Sequence, residues 1–325
     1  MEPLLVIPIF LSFFCTFLII PSWIRNAKRN NLTGKDIHKK HQPEIAEGGG
    51  VSILFGVLIG ILLYVAIRTF YFHSTEHAAA ILTILCVILI SAIVGMFDDV
   101  LGWKKGLSRK VRLCLIFFAA VPLMVINAGE ATMMGVNFGL IYPLLLIPLG
   151  VVGATTTFNF LAGYNGLEAS QGILILSALA IVNFLLNQGW LSIICLCMVA
   201  SLIAFYIYNK NPSKVFPGDI TTYSIGALIA GIAIIGNIEK IAIFFYIPYI
   251  IEVGLKVRGK LKKESFAKVN EKGYLEVPYS KIYSLTHLSI FILKKFKKNV
   301  REKEVVYLIN GFQLLVILLG FLFFL

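Results

Sequence analysis

Charge is scarce in this chain. Asp, Glu, Lys and Arg make up 14% of its 325 residues, while 58% are hydrophobic and the mean hydropathy is +0.86. A soluble domain carries roughly 25% charged residues, and one core could not hide this much apolar surface. That excludes a soluble globular enzyme and points to an integral membrane protein. Cysteine and histidine are just as sparse, with five of each. Cys15, Cys86, Cys114, Cys195 and Cys197 all sit in apolar runs without CxxC spacing, so neither a disulfide framework nor a zinc site is indicated, and they read as small core residues. Negative charge is the rarer sign, 17 acidic against 29 basic residues. Most of the resulting +12 reads as topology signal and attraction to anionic lipid headgroups, not as a nucleic-acid surface.

What the chain has in abundance is long apolar runs. Runs near 20 residues are long enough to cross the hydrocarbon layer as helices. They lie at 3–24, 49–67, 78–97, 112–127, 138–158, 170–187, 189–208, 220–238, 239–257 and 304–325. The first exceeds a signal-peptide core of roughly 7 to 15 residues and has no basic leader, so it reads as a retained span. Backbone amides in lipid must be satisfied internally, which makes these runs helices. The expectation is an all-α polytopic bundle of about ten transmembrane helices, forming one domain over 1–325.

The basic residues orient it. Six fall in 25–40, five in 104–112 (Lys104, Lys105, Arg109, Lys110 and Arg112), two in 209–219 and fourteen in 256–303, which is 27 of the 29; only Arg68 and Lys240 fall elsewhere. The positive-inside rule makes the loops 25–48, 98–111, 159–170, 209–219 and 258–303 cytoplasmic and puts both termini on the non-cytoplasmic side.

Each of those loops carries polar residues where a helix meets the membrane surface: AEGGG at 46–50, FDDV at 97–100, NFLAGYNGLEASQG at 159–172, VFPGDITT at 215–222 and EVGLKVRGKLKK at 252–263. Asp98 and Asp99 end an apolar run, where the helix dipole and their mutual repulsion both disfavour them, so a divalent cation or a lysine is expected nearby, and Lys104, Lys105 and Lys110 follow within one loop. Asp219 follows Pro-Gly ahead of an apolar run and suits an N-cap as well as a ligand role. Asn159, Asn165, Glu168 and Gln171 crowd polar groups around one interface; they suit hydrogen bonding of a tight turn or, with the aspartates, an oxygen-donor set for a hard cation such as magnesium. The combination points to phosphate chemistry at a membrane surface.

FDDVLG, NFLAGYNGLEASQG and VFPGD, in this order across ten runs, resemble the polyprenyl-phosphate N-acetylhexosamine-1-phosphate transferase superfamily. The similarity extends from PEIAEGGG at 43–50 to YLEVPYSK at 274–281, and LAGYNGLEASQ is closest to the eukaryotic and archaeal branch. The resemblance implies transfer of a sugar-1-phosphate, GlcNAc-1-phosphate in that branch, from a UDP-sugar to a polyprenyl or dolichyl phosphate with release of UMP. The site would face the cytoplasm from a cell or endoplasmic-reticulum membrane, in a chain that pairs as a homodimer. It implies Mg2+, with Mn2+ as a substitute, held by Asp219 and Asn159, and Asp98 and Asp99 at the lipid phosphate. Asn165 and Phe216 match uracil contacts, Lys110 falls near a pyrophosphate-binding lysine at a spacing two residues longer, and Glu168 and Glu47 would line the site. Two departures stand out: Thr156 replaces a second asparagine, and where the family has a histidine- or arginine-rich signature the last loop reads KVRGKLKKESFAKV, with no histidine until His287, leaving Arg258 as its sugar-phosphate candidate. A different UDP-sugar, as in cell-wall transferases, stays open. Two rivals of other classes are an intramembrane aspartyl protease using Asp99 and Asp219, and a secondary transporter, which would want charge at mid-span.

Overall fold

The structure is a computed structural model that describes residues 3–101, 106–133 and 135–325; Lys104 and Lys105 lie outside the described residues. Among the described residues it is a helix bundle with three two-stranded hairpins in its loops. The helices are α1 (Ile7–Arg29), α2 (Gly50–Ala66), α3 (Ala78–Leu101), α4 (Arg109–Ala119), α5 (Val121–Val125), α6 (Ile147–Phe160) and α7 (Leu167–Leu185). They continue with α8 (Gly189–Asn209), α9 (Asp219–Ile235), α10 (Glu239–Phe245), α11 (Ile247–Arg258), α12 (Leu285–Phe296) and α13 (Glu302–Phe324). The chain is a polytopic membrane protein, but only seven described helices are individually long and apolar enough to cross a bilayer: α1, α2, α3, α6, α7, α8 and α13, some with short helical extensions.

The other three expected spans differ for identifiable reasons. The run 112–127 is broken at Ala120 ahead of Pro122, and the run 239–257 at Tyr246 ahead of Pro248, because proline lacks the N–H that continues a helix. The run 220–238 becomes α9, about 25 Å long at 1.5 Å per residue. Every α9 residue from Ile220 to Ile234 is buried. A helix that is apolar on all sides belongs inside protein, so α9 is enclosed by α3, α6 and α2 and need not match the lipid thickness. A second correction concerns 258–303, expected as a loop: it contains a hairpin of β5 (Lys268–Val269) with β6 (Leu275–Glu276), and then α12. The cysteine expectation holds only for Cys195 and Cys197; Cys86 and Cys114 lie on the outer surface.

The polar ends gather at one end of the bundle. There the first loop forms β1 (Thr33–Lys35) against β2 (Glu44–Ala46), and the chain after β2 is stitched to the α8–α9 loop. The Phe216 amide donates to the Ala46 carbonyl (2.8 Å), the Gly49 amide to the Phe216 carbonyl (3.0 Å) and the Gly50 amide to the Pro217 carbonyl (2.9 Å). Two loops some 170 residues apart thereby become one rigid wall.

Candidate active site

A cavity of about 1320 Å³ opens at this end. Of the residues singled out in the sequence, Glu47, Asp98, Asp99, Asn159, Asn165, Glu168, Phe216 and Asp219 line it. Lys110 and Arg258 do not; both are exposed, and the cations on the wall are Lys35, Arg109, Arg112, Lys256, Lys262 and Lys263. The reason for the first shift is helical phase. Ser108 caps α4 with its hydroxyl, and from that start Arg109 and Arg112, three apart, share the inward face while Lys110 turns outward.

Asp98 and Asp99 use adjacent positions to reach different elements. Asp98 is buried, accepts the Leu107 amide at 2.6 Å through Oδ1, and holds Oδ2 2.7 Å from Arg112 Nε, an ion pair without the alignment of a hydrogen bond. The positive charge beside Asp98 is thus Arg112, where the sequence predicts a divalent cation or a loop lysine. Asp99 points at the start of α9: its Oδ1 accepts the Asp219 amide at 2.7 Å and its Oδ2 the Ile220 amide at 3.3 Å. Asp99 therefore caps α9 from another helix, satisfying amides a helix N-terminus leaves free, whereas Asp219, read as a possible cap, is itself the first residue of α9. Gly218 makes this possible: its φ is +73° and a Cβ there would lie 2.2 Å from Asp99 Oδ2.

With its own amide capped, Asp219 lines the cavity beside Asn159, at the end of α6, and Tyr223. Glu168 takes the Gly163 amide at 2.6 Å through Oε1, while its Oε2 is buried without a partner. Burial raises the Glu47 carboxyl above the ordinary carboxylate range. Asp219 and Asn159 offer carboxylate and amide oxygens, and among the described residues no imidazole or thiolate is shown in contact with them. That donor chemistry fits a hard divalent ion, which takes one or two carboxylates and completes its shell with water and phosphate.

Comparison with known proteins decides the family. The glycosyl transferase family 4 model matches residues 80–237, which carry the Asp98–Asp99 pair, Asn159 and Asp219. A protein of Saccharolobus solfataricus, provisionally described as a UDP-N-acetylglucosamine–dolichyl-phosphate N-acetylglucosaminephosphotransferase, is 36% identical over 95% of this chain and 93% of its own length. The Dictyostelium discoideum protein of that description is 30% identical over 73% of this chain and 67% of its own. A phospho-N-acetylmuramoyl-pentapeptide-transferase of Streptococcus suis is 27% identical over 74% and 75%. The chain belongs to glycosyl transferase family 4.

Within glycosyl transferase family 4 it is a multi-pass membrane enzyme of the polyprenyl-phosphate N-acetylhexosamine-1-phosphate transferase kind. Membership leaves no place for the protease and transporter readings. What sequence reasoning missed at this site is Arg112, counted only as one of five loop cations. The detectable signal was Ser108, whose capping sets which α4 residues face inward.

Proposed function

We propose that the protein transfers GlcNAc-1-phosphate from UDP-GlcNAc to a dolichyl-type polyprenyl phosphate and releases UMP. The observation that carries this reading is the meeting of Asp98, Asp99, Asn159 and Asp219, from three helices, on one cavity at the end of the apolar bundle. One substrate is soluble and the other is anchored by a hydrocarbon chain, so the reacting phosphates have to meet where water meets lipid. The names of the Saccharolobus and Dictyostelium relatives support the choice of sugar and carrier.

The reaction forms a P–O bond between the lipid phosphate and the sugar-bearing phosphorus and breaks the pyrophosphate bond to UMP. Both reactants are anions, and bringing them together in a partly desolvated cavity is unfavourable without counter-charge. Asp219 and Asn159 would hold Mg2+, or Mn2+ in its place, which when bound neutralises pyrophosphate oxygens. Arg112, steadied by Asp98, would bind the phosphates, with Lys256, Lys262 and Lys263 as further cations on the cavity lining. Asp98 orients the acceptor phosphate and takes its proton if it arrives protonated. Asp99 keeps the start of α9, and with it Asp219, in place. Phe216 and Asn165 hold the uracil, and Glu47 and Glu168 shape the wall. The cavity end faces the cytoplasm and both termini the opposite side.

The test is incubation of purified protein with Mg2+, a polyprenyl phosphate and a panel of UDP-sugars, followed by the mass of the lipid product and assay of UMP. A GlcNAc-phosphate adduct with UMP released is the expected result; a product with only another sugar corrects the donor, and no lipid-linked product with any donor rejects the reading. The two cation assignments separate in the same assay. Arg112→Ala is expected to lower kcat/KM at least about thirtyfold, since loss of a desolvated charge pair costs 2 kcal/mol or more. Lys110→Ala is expected to change it less than about threefold, as an exposed charge does.

A further inference from the structure

The last helix contributes no residue to the cavity lining, yet its first residue reaches the site through a buried network. The Glu302 carboxylate accepts the Asn165 amide at 2.7 Å through Oε1, which also lies 3.5 Å from His38 Nδ1. Its Oε2 accepts Asn211 Nδ2 at 2.7 Å and pairs with Lys39. Asp36 accepts the His38 amide at 3.3 Å through Oδ1, and through Oδ2 accepts Asn165 Nδ2 at 2.9 Å, with Lys39 Nζ 3.8 Å away. His38 Nε2 accepts the Ala267 amide at 3.2 Å, which leaves a neutral ring's proton on Nδ1, facing Glu302.

Asp36, His38 and Glu302 come close enough to share an ion, with ligand atoms within 4.8 Å of one another. The hydrogen bonds argue otherwise. All four carboxylate oxygens already meet N–H donors, and Lys39 supplies the positive charge. The cluster is therefore a clamp, and what it clamps is Asn165.

An ionised carboxylate only accepts hydrogen bonds, so Asp36 fixes which way the Asn165 amide is turned: Nδ2 toward Asp36, Oδ1 away from it. Asn165 lines the cavity, and among the described residues nothing donates to its Oδ1. Resting on the uridine-donor reading above, we propose that Asp36 and Glu302 are positioning residues that make Asn165 a fixed acceptor, and thereby set the nucleotide's base. An acceptor there takes a base with a ring N–H, as uracil has at N3. Cytosine has an acceptor at that position and would face oxygen with a lone pair. Glu302 fixes the Asn165 backbone and Asp36 its side chain, so selectivity for the base depends on the first loop and on a helix 137 residues downstream.

The experiment measures binding of UDP, CDP and 3-methyl-UDP to the full-length protein by calorimetry, and donor kinetics, for wild type, Asp36→Asn and Glu302→Gln. Wild type is expected to prefer UDP over both CDP and 3-methyl-UDP by at least about tenfold, since a site built around a hydrogen bond rejects analogues that cannot make it. An amide at position 36 can present either an oxygen or an NH2 to Asn165, which frees the Asn165 amide to turn. The UDP/CDP ratio is then expected to fall below about threefold and KM for the UDP-sugar to rise at least about tenfold, with kcat changed less than about threefold. Glu302→Gln keeps one acceptor oxygen and is expected to raise KM by a smaller factor in the same direction. An Asp36→Asn protein that keeps the wild-type UDP/CDP ratio while losing kcat or thermal stability overturns the proposal and leaves the uridine reading standing. If that variant does not fold, equal binding of UDP and 3-methyl-UDP to wild type overturns it instead. A wild type that binds neither UDP nor CDP, or both equally, removes the uridine reading and the proposal together.

Discussion

Asp219→Asn is expected to lower sugar-1-phosphate transfer by at least about a hundredfold, the size of a metal-ligand or general-base loss, while the protein stays folded. The separation of the two effects follows from who caps α9. The helix start is satisfied by Asp99, whose carboxylate takes the Asp219 and Ile220 amides. The Asp219 side chain is thus free of that duty, and Asn159, beside it on the cavity wall, can bond an amide as readily as a carboxylate. Neutralising Asp219 removes a charge from the cavity without removing a helix cap. Initial rates with labelled donor, set against the melting temperature of the purified variant, check this. Excess EDTA is expected to stop wild-type turnover to the same extent.

The second large effect is predicted at a residue that touches no substrate. Gly95 lies on α3 where that helix crosses the start of α9, and a Cβ there would sit 2.6 Å from the carbonyl carbon and oxygen of Asp219 and from the Ile220 amide nitrogen. These are backbone atoms that no rotamer change can move aside. Gly95→Ala must therefore push α9 away from α3, at about 1–3 kcal/mol for overpacking. It would also pull Asp99 off the α9 amides and displace Asp219 by a fraction of an ångström to an ångström, enough to lower transfer by about a hundredfold. Gly153→Ala, at a glycine with nothing within 4 Å, is the matched control and is expected to leave activity and melting temperature near wild type. Parallel assays and thermal melts of the two variants check the pair.

Hydropathy made the seven long spans and the clustering of polar motifs at one end legible, because a run of some 20 apolar residues has to be kept from water. It expected single unbroken helices at 112–127, 220–238 and 239–257, where the described helices are broken or shorter. Two of these hinge on single prolines, Pro122 and Pro248, and the third on a burial that composition alone cannot distinguish from lipid contact. Within the site, the residues standing in the motifs could be singled out, and Asp98, Asp99, Asn159 and Asp219 meet around one cavity. Their division of labour was not legible. Adjacent aspartates at a helix end look equivalent in sequence, yet one faces Arg112 and the other faces α9, a difference made by helical rotation and by which helices pack on either side. Asp36, Lys39 and Glu302 drew no notice for a related reason. In a chain with so many basic loop residues, a buried ion pair between residues 39 and 302 has no local signature, and it exists only once the first loop and α13 meet.

The claim on which the rest depends is that Asp219 and Asn159 hold a hard divalent ion, and the most direct measurement is electron paramagnetic resonance of Mn2+ titrated into the purified protein with UMP present. The wild type is predicted to bind one Mn2+ per chain, displaced by Mg2+, with affinity reduced at least about tenfold in Asp219→Asn. Equal Mn2+ affinity in wild type and variant would contradict it.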